Sequence, residues 1–245
     1  MRVALCLSGE LRRVLEFFPI IRNNILEPYD PDVFISTWDM PPNIATSVAN
    51  TVRDPQEIST ISTVCKLYNP DGLYVQQYSD EIKQYLTGLG ETRNDNLLSM
   101  AFHIMKSIRL SQERASLTNK PYDIVIRHRF DYGVKDIQFE NHDLNAINIP
   151  SEHDYGGYQD QFAFGRPHVM EIYADWRLHV VQIENAFARQ TGLPTNENDC
   201  AGFPWQPEAA LKRYLDCTQA PVCLMDGLSI RYPWCTIKEI GELYD

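Results

Sequence analysis

The stretch Val3-Ala4-Leu5-Cys6-Leu7-Ser8-Gly9-Glu10 decides the fold. Five consecutive apolar residues leave no polar face, which suits a strand covered on both sides at the centre of a parallel sheet. Ser8-Gly9 then marks a tight turn. Beyond it, Leu11, Leu15, Phe18 and Ile21 to Ile25 recur at the spacing of an amphipathic helix. Pro28-Tyr29-Asp30-Pro31 break that pattern, and Asp32-Val33-Phe34-Ile35-Ser36-Thr37-Trp38-Asp39 reads as a second strand. Strand, helix and strand within the first forty residues make a βαβ unit, so the class expected is α/β.

In open α/β sheets a ligand lies beyond the carboxyl ends of the strands. Ser8, Gly9, Glu10, Arg12 and Arg13 follow the first strand, and Asp39 ends the second. A glycine lets backbone approach a ligand closely, and Arg12 and Arg13 add guanidinium donors at the start of a helix. A plain turn with two solvated arginines is the simpler reading of the same residues. The chain contains no G-x-G-x-x-G and no Walker motif, which removes support for dinucleotide-redox and P-loop chemistry.

The 245 residues are enough for one large domain. Lys and Arg number 22 against 33 Asp and Glu, a formal charge of −11. That sign opposes bulk attraction to nucleic acid or anionic membrane, so an anionic ligand needs a local cluster of arginines. The six cysteines, at 6, 65, 200, 217, 223 and 235, include no C-x-x-C pair and no histidine at zinc-ligand spacing. Reduced thiols in the cytoplasm are the expectation. The apolar run Val3 to Leu7 is far short of a signal-peptide core or a membrane span, so neither is expected at the N-terminus.

Residues 40 to 60, with Pro41-Pro42-Asn43 and many Ser and Thr, read as a loop over the crevice. Gly72 to Tyr78 reads as a short strand. Asn96 to Thr118 reads as a long helix packed on the sheet through Leu97, Leu98, Ala101, Ile104, Met105, Ile108 and Leu110. The most informative segment is Tyr122-Asp123-Ile124-Val125-Ile126-Arg127-His128-Arg129-Phe130-Asp131-Tyr132, a buried strand that turns abruptly polar. Charges there must meet water, each other or a ligand. If the strand continues, Arg127, Arg129 and Asp131 point one way and His128 and Phe130 the other. Arginine forks suit a diphosphate, and Asp131 suits a divalent cation or a sugar hydroxyl; an internal Arg–Asp salt bridge is the competing reading.

Ile147 to Pro150 reads as a strand that stops at its proline. In Tyr155-Gly156-Gly157-Tyr158-Gln159-Asp160-Gln161-Phe162-Ala163-Phe164-Gly165 a glycine pair meets aromatics and one carboxylate. Tyr155 or Tyr158 suits stacking on a sugar ring, and Asp160 suits either a hydroxyl or a helix-cap role. Residues 167 to 191 read as helix, 196 to 207 as loop, and Pro207-Glu208 opens another helix through Tyr214. Leu228 to Tyr232 reads as a final strand.

Taken together, these blocks resemble the small GT-A-type glycosyltransferases of bacterial polysaccharide clusters and large DNA viruses. The resemblance rests on Arg2 to Arg12, Asp32 to Asp39, Ile126 to Asp131, Asp160 to Gly165 and the Pro207-Glu208 helix. It implies a single Rossmann-like domain with a mixed, mostly parallel sheet, a nucleotide-sugar-binding half over 1–135 and an acceptor-binding half over 136–245. It further implies a UDP- or GDP-sugar donor and a glycan acceptor, with the base against the loop after the first strand and the diphosphate near Asp131. On that reading Ser8, Gly9, Arg12, Arg13, Asp39, Arg127 and Arg129 bind donor, Tyr155, Tyr158 and Glu208 bind acceptor, and Asp160 is the general base if the reaction inverts the anomeric carbon. The family's Asp-x-Asp triplet, which binds manganese or magnesium, is matched by Arg129-Phe130-Asp131, with a single carboxylate. Either Asp131 holds the metal alone or Arg127 and Arg129 neutralise the leaving diphosphate without one. His128 is a further candidate for polar work in the cleft. Two other classes remain: a nucleotide- or glycan-binding module without turnover, and a nucleotidyltransferase, which needs two metal-holding carboxylates.

Overall fold

The computed structural model describes residues 1–39, 59–77, 95–152, 156–191 and 207–228. In chain order the elements are β1 (Val3–Ser8), α1 (Val14–Ile21), β2 (Asp32–Asp39), α2 (Ile61–Tyr68), β3 (Gly72–Gln77), α3 (Asp95–Thr118), β4 (Ile124–His128), β5 (Ile147–Pro150), β6 (Phe162–Gly165), α4 (Pro167–Thr191), α5 (Pro207–Thr218) and β7 (Val222–Met225). The strands form one sheet in the order β3-β2-β1-β4-β6-β5-β7. β3, β2, β1 and β4 run parallel, β6 is antiparallel to both β4 and β5, and β7 is parallel to β5. The sheet is thus mixed and mostly parallel, compatible with a Rossmann-like fold. β1 lies inside it with all six residues buried, as its unbroken apolar run requires.

Strand alternation sends side chains to two separate cores. On one face Ala4, Cys6, Phe34, Val125 and Ala163 pack with Leu98, Ile104, Ile108, Tyr173, Trp176 and Leu211 of α3, α4 and α5. On the other, Leu5, Leu7, Val33, Ile35, Ile126, Phe162 and Phe164 pack with Val14, Phe17, Ile20, Val64 and Tyr68 of α1 and α2 and with Phe130 to Phe139.

Four details depart from the sequence reading. The chain does not enter α1 directly from the Ser8-Gly9 turn: Glu10 to Arg13 intervene and Arg13 adopts φ 52°. This shifts the phase, so Val14, Phe17, Ile20 and Ile21 are buried while Leu15 is 65% exposed. Ile25 still reaches the core because a π turn, Arg22–Leu26, follows α1. Secondly, α2 is a helix that the sequence reading omitted. Its Thr60 cap accepts from the Thr63 N–H at 3.2 Å and Asn69 closes it at φ 42°. Thirdly, Phe162 to Gly165 is a strand rather than the tail of a loop. Finally, the last described strand is Val222–Met225, and Leu228 lies outside it; residues 229–232 fall beyond the described part. No helix among the described residues is long and apolar enough to cross a membrane. Cys6, Cys65, Cys217 and Cys223 are free thiols.

Candidate functional site

β1 pairs on one side with β2 and on the other with β4, so the strand order reverses at β1, the position where open α/β sheets bind ligands. Register sets Cys6 beside Arg127 and Leu7 beside His128. The carboxyl ends of β1 and β4 therefore meet. Gly9 follows β1 at φ +120°, a conformation reserved for glycine, and its carbonyl accepts from Thr37 Oγ1 at 2.7 Å. This ties the turn to β2.

β4 ends at His128, but the alternation persists. Phe130 is fully buried beside Tyr68, at 6.0 Å between ring centroids. Arg129 donates from Nε and Nη2 to the two oxygens of Asp131, both at 2.8 Å. Arg12 Nε makes a further hydrogen bond to Asp131 Oδ2. Burial alone would raise the Asp131 carboxyl, but the two guanidiniums outweigh it and hold it well below the usual carboxylate range. Burial pulls the Arg129 guanidinium down, yet Asp131, with Asp160 and Glu208 behind it, raises it above its ordinary value.

Three N–H bonds take most of the roughly four acceptor positions of a carboxylate. Two guanidinium cations also stand against that carboxylate, where a divalent cation would have to bind. Among the described residues no three His, Cys, Asp or Glu side chains come together as ligands. Asp131 does not fit manganese or magnesium. The salt-bridge reading of this segment describes its geometry better.

Arg127 lies deeper and has no accessible surface. Its Nη1 donates to the Gln161 carbonyl at 2.6 Å, the same oxygen that accepts the Arg129 N–H at 3.0 Å. Its Nε and Nη2 have no hydrogen-bond partner. Burial lowers the Arg127 guanidinium, with Tyr173 and Asp160 opposing the shift. Asp160 is 2% exposed and its Oδ1 is unpartnered; the Tyr173 hydroxyl of α4, fully buried, is unpartnered too. Each such group costs about 1–3 kcal/mol in a folded protein, so their concentration here has a reason beyond stability.

The remaining expected residues divide clearly. Glu208, in the first turn of α5, is buried and its charge acts on Arg129. Gly157 packs so tightly on it that a Cβ would lie 2.0 Å from the Glu208 carbonyl, and the Tyr158 N–H donates to that carbonyl at 2.9 Å. The Tyr158 ring lies under Lys212 at 4.8 Å and its hydroxyl reaches Asp216 at 3.4 Å, further along α5 than Glu208. Arg13 turns onto its own helix and binds Glu16 through Nε at 2.7 Å and through Nη2. Asp39 ends β2, exposed, and Ser8 is buried with its Oγ unpartnered. Tyr155 lies outside the described residues. His128 faces the other core, 5.3 Å from Phe162, and burial lowers its imidazole to about 3. It lies on the opposite face of the sheet from Arg127.

The structure thus gathers Arg12, Arg127, Arg129, Asp131, Asp160 and Glu208 at the ends of β1 and β4. Three guanidiniums face three carboxylates. Tyr173 was not expected, because an aromatic at helical spacing reads as core. Comparison with protein-family models gives no match, and comparison with curated protein sequences gives none.

Proposed function

We propose that the protein transfers a sugar from a nucleotide-diphosphate donor, UDP- or GDP-linked, to a hydroxyl of a glycan. The observation that carries this reading is the presence of two kinds of carboxylate beside the carboxyl ends of β1 and β4. Asp131 is consumed in orienting Arg12 and Arg129, while Asp160 keeps an oxygen free. Transfer needs both: cations fixed in advance where the leaving diphosphate gains charge, and a base for the acceptor proton.

In this scheme Arg12, whose side chain is 31% exposed, and Arg129 take the diphosphate oxygens. Asp131 keeps their forks from collapsing elsewhere, so no reorganisation is needed as the bond breaks. Asp160 Oδ1 takes the proton of the attacking hydroxyl. No step runs through a metal, because the Asp131 donor set does not suit one. A binding module without turnover would use the same arginines and could hold a hydroxyl on Asp160, so turnover is what separates the two readings.

The reading is tested by calorimetric titration of UDP, GDP and their common sugar conjugates in the presence of a chelator. At least one is expected to bind, and Arg12→Ala is expected to weaken it by about 1.5–3 kcal/mol for a charged hydrogen bond, roughly 10- to 100-fold. Absence of binding by the whole panel, or an Arg12→Ala variant with unchanged affinity, contradicts it.

A further inference from the structure

We infer that Arg127, Tyr173 and Asp160 together bind a hydroxyl group of a neutral sugar ring, an inference that rests on the function proposed above and names the substrate chemistry these groups select. The proposed reaction leaves Arg127 and Tyr173 without a task. Yet both are fully buried, and neither the Nε and Nη2 edge of Arg127 nor the Tyr173 hydroxyl has a partner. The third nitrogen, Nη1, is spent on the Gln161 carbonyl at 2.6 Å, which fixes the plane of the guanidinium. The edge left over is the one that presents two parallel N–H groups to a single acceptor group. Arg127 pairs with Ala163 across the sheet and bonds the carbonyl of Gln161, the residue after Asp160, while Ala163 and Tyr173 share one core; the Arg127 charge acts on Tyr173 and the Asp160 charge on both. Arg127 and Asp160 nevertheless do not close on each other: Oδ1 of one and two nitrogens of the other stay unpartnered.

The occupant must accept from Arg127 and Tyr173 and donate to Asp160. A ring hydroxyl does both, its two lone pairs taking the Tyr173 O–H and one N–H of the Arg127 edge while a neighbouring ring hydroxyl takes the other. A carboxylate or phosphate would accept from Arg127 but bring its charge against Asp160, and an ammonium would donate to Asp160 but face Arg127. With one fixed cation and one fixed anion, the space favours a group that is polar and uncharged. Arg127 has no accessible surface and Asp160 almost none, so the site is closed in the free protein. Binding therefore includes an opening step, and observed affinity is reduced by the fraction of molecules that are open. The hydroxyl belongs either to the donor sugar or to the acceptor glycan. In the acceptor case the hydroxyl that Asp160 holds is the nucleophile; in the donor case Asp160 reads a ring position and the base role given to it above fails.

The test uses the full chain with Tyr173→Phe, Asp160→Asn and Arg127→Lys. Ligand-free melting is measured first. Because the Tyr173 hydroxyl makes no bond in the free protein, Tyr173→Phe should leave Tm unchanged or raise it by about 2–4 °C. Calorimetry then compares UDP, UDP-glucose, UDP-galactose, UDP-glucuronate, GDP and GDP-mannose, and separately the methyl glycosides of glucose, galactose and mannose. A donor site shows as a neutral nucleotide sugar binding roughly tenfold or more tighter than its bare diphosphate; an acceptor site shows as binding of a free glycoside. In either arm Tyr173→Phe should reduce the sugar-dependent affinity about fivefold. Bare diphosphate affinity should stay within about twofold in Tyr173→Phe.

A lower Tm for Tyr173→Phe with unchanged sugar binding would show a structural or water-bound hydroxyl and overturn the inference. So would Tyr173→Phe and Arg127→Lys weakening the bare diphosphate as much as its sugar conjugate. If nucleotides bind but no sugar adds affinity, the inference fails and the proposed function stands; if no nucleotide and no glycoside binds, both fail. Should Arg127→Lys not fold, Tyr173→Phe and Asp160→Asn decide the matter alone.

Discussion

Asp131→Asn keeps the volume of the side chain and one acceptor oxygen but removes the charge between Arg129 and Arg12. The Arg129 pair is bidentate and buried, so breaking it leaves an uncompensated guanidinium, a change that typically costs about 3–5 kcal/mol. Arg12 is partly exposed and adds no more than about 1 kcal/mol. Since the native carboxyl is held below its unfolded value, its contribution is complete above the unfolded pKa of about 3.9 and is lost as pH falls toward the native one. Near pH 3 the unfolded carboxyl is mostly protonated while the native one remains ionised. The gap between wild type and variant should then be about 1 kcal/mol smaller than near pH 7. Urea denaturation of both proteins at the two pH values measures it. A variant within about 1 kcal/mol of wild type near neutrality, or a gap that does not change with pH, refutes the claim that Asp131 is a clamped anion.

The same geometry makes three other expectations concrete. Gly157→Ala sets a Cβ against the Glu208 backbone, which has no flexible end to yield, so urea denaturation should show a loss of at least about 1–3 kcal/mol; a neutral substitution would mean that the contact is not there. On α1, Phe17→Ala should cost about 3–5 kcal/mol and Leu15→Lys less than about 0.5, and the reverse order would restore the helix face read from the sequence. Burial lowers His103 and His128 to about 3, so their NMR ring signals should not titrate between about pH 8 and 5. Because unfolded histidine binds a proton near 6.5, each group reduces stability as pH falls below that value, and a ring titrating near 6.5 would contradict its burial.

β1 and β2 were legible because unbroken apolar runs between turn signals have few other solutions in a soluble chain. β3, α3, β4 and β5 followed from the same patterning. The helix face of α1 was not legible, since Arg13 takes a left-handed conformation that no local pattern announces and four residues of loop reset the phase. α2 carried usable signals in Thr60, in Ile61, Val64 and Tyr68, and in Asn69, but eight residues offer little periodicity. β6 was hidden because Phe162-Ala163-Phe164 is buried on both faces and so does not alternate. At the site, Arg12, Arg129 and Asp131 were all visible and an Arg–Asp salt bridge within 127–131 was one of the readings, while the long-range partner of Arg12 was not. Arg12 and Asp131 are 119 positions apart, and nothing local distinguishes a metal-holding aspartate from one clamped by arginines. The buried polar stripe His103, Ser107 and Ser111 has helical spacing of four and was readable in principle. The unpartnered state of Tyr173 was not, since it is a tertiary property.

The central claim is that this crevice breaks a sugar–diphosphate bond with arginines as its cations and Asp160 as its base. The most direct measurement is release of nucleoside diphosphate from the nucleotide sugar that binds best, with a mixed glycan acceptor, in chelator and then with added manganese. Wild type should release diphosphate only when acceptor is present and at the same rate in chelator. Asp160→Asn, folded and still binding nucleotide, should be slower by about 10²–10⁴-fold. Release that requires manganese, or an Asp160→Asn variant that turns over at the wild-type rate, would contradict the account.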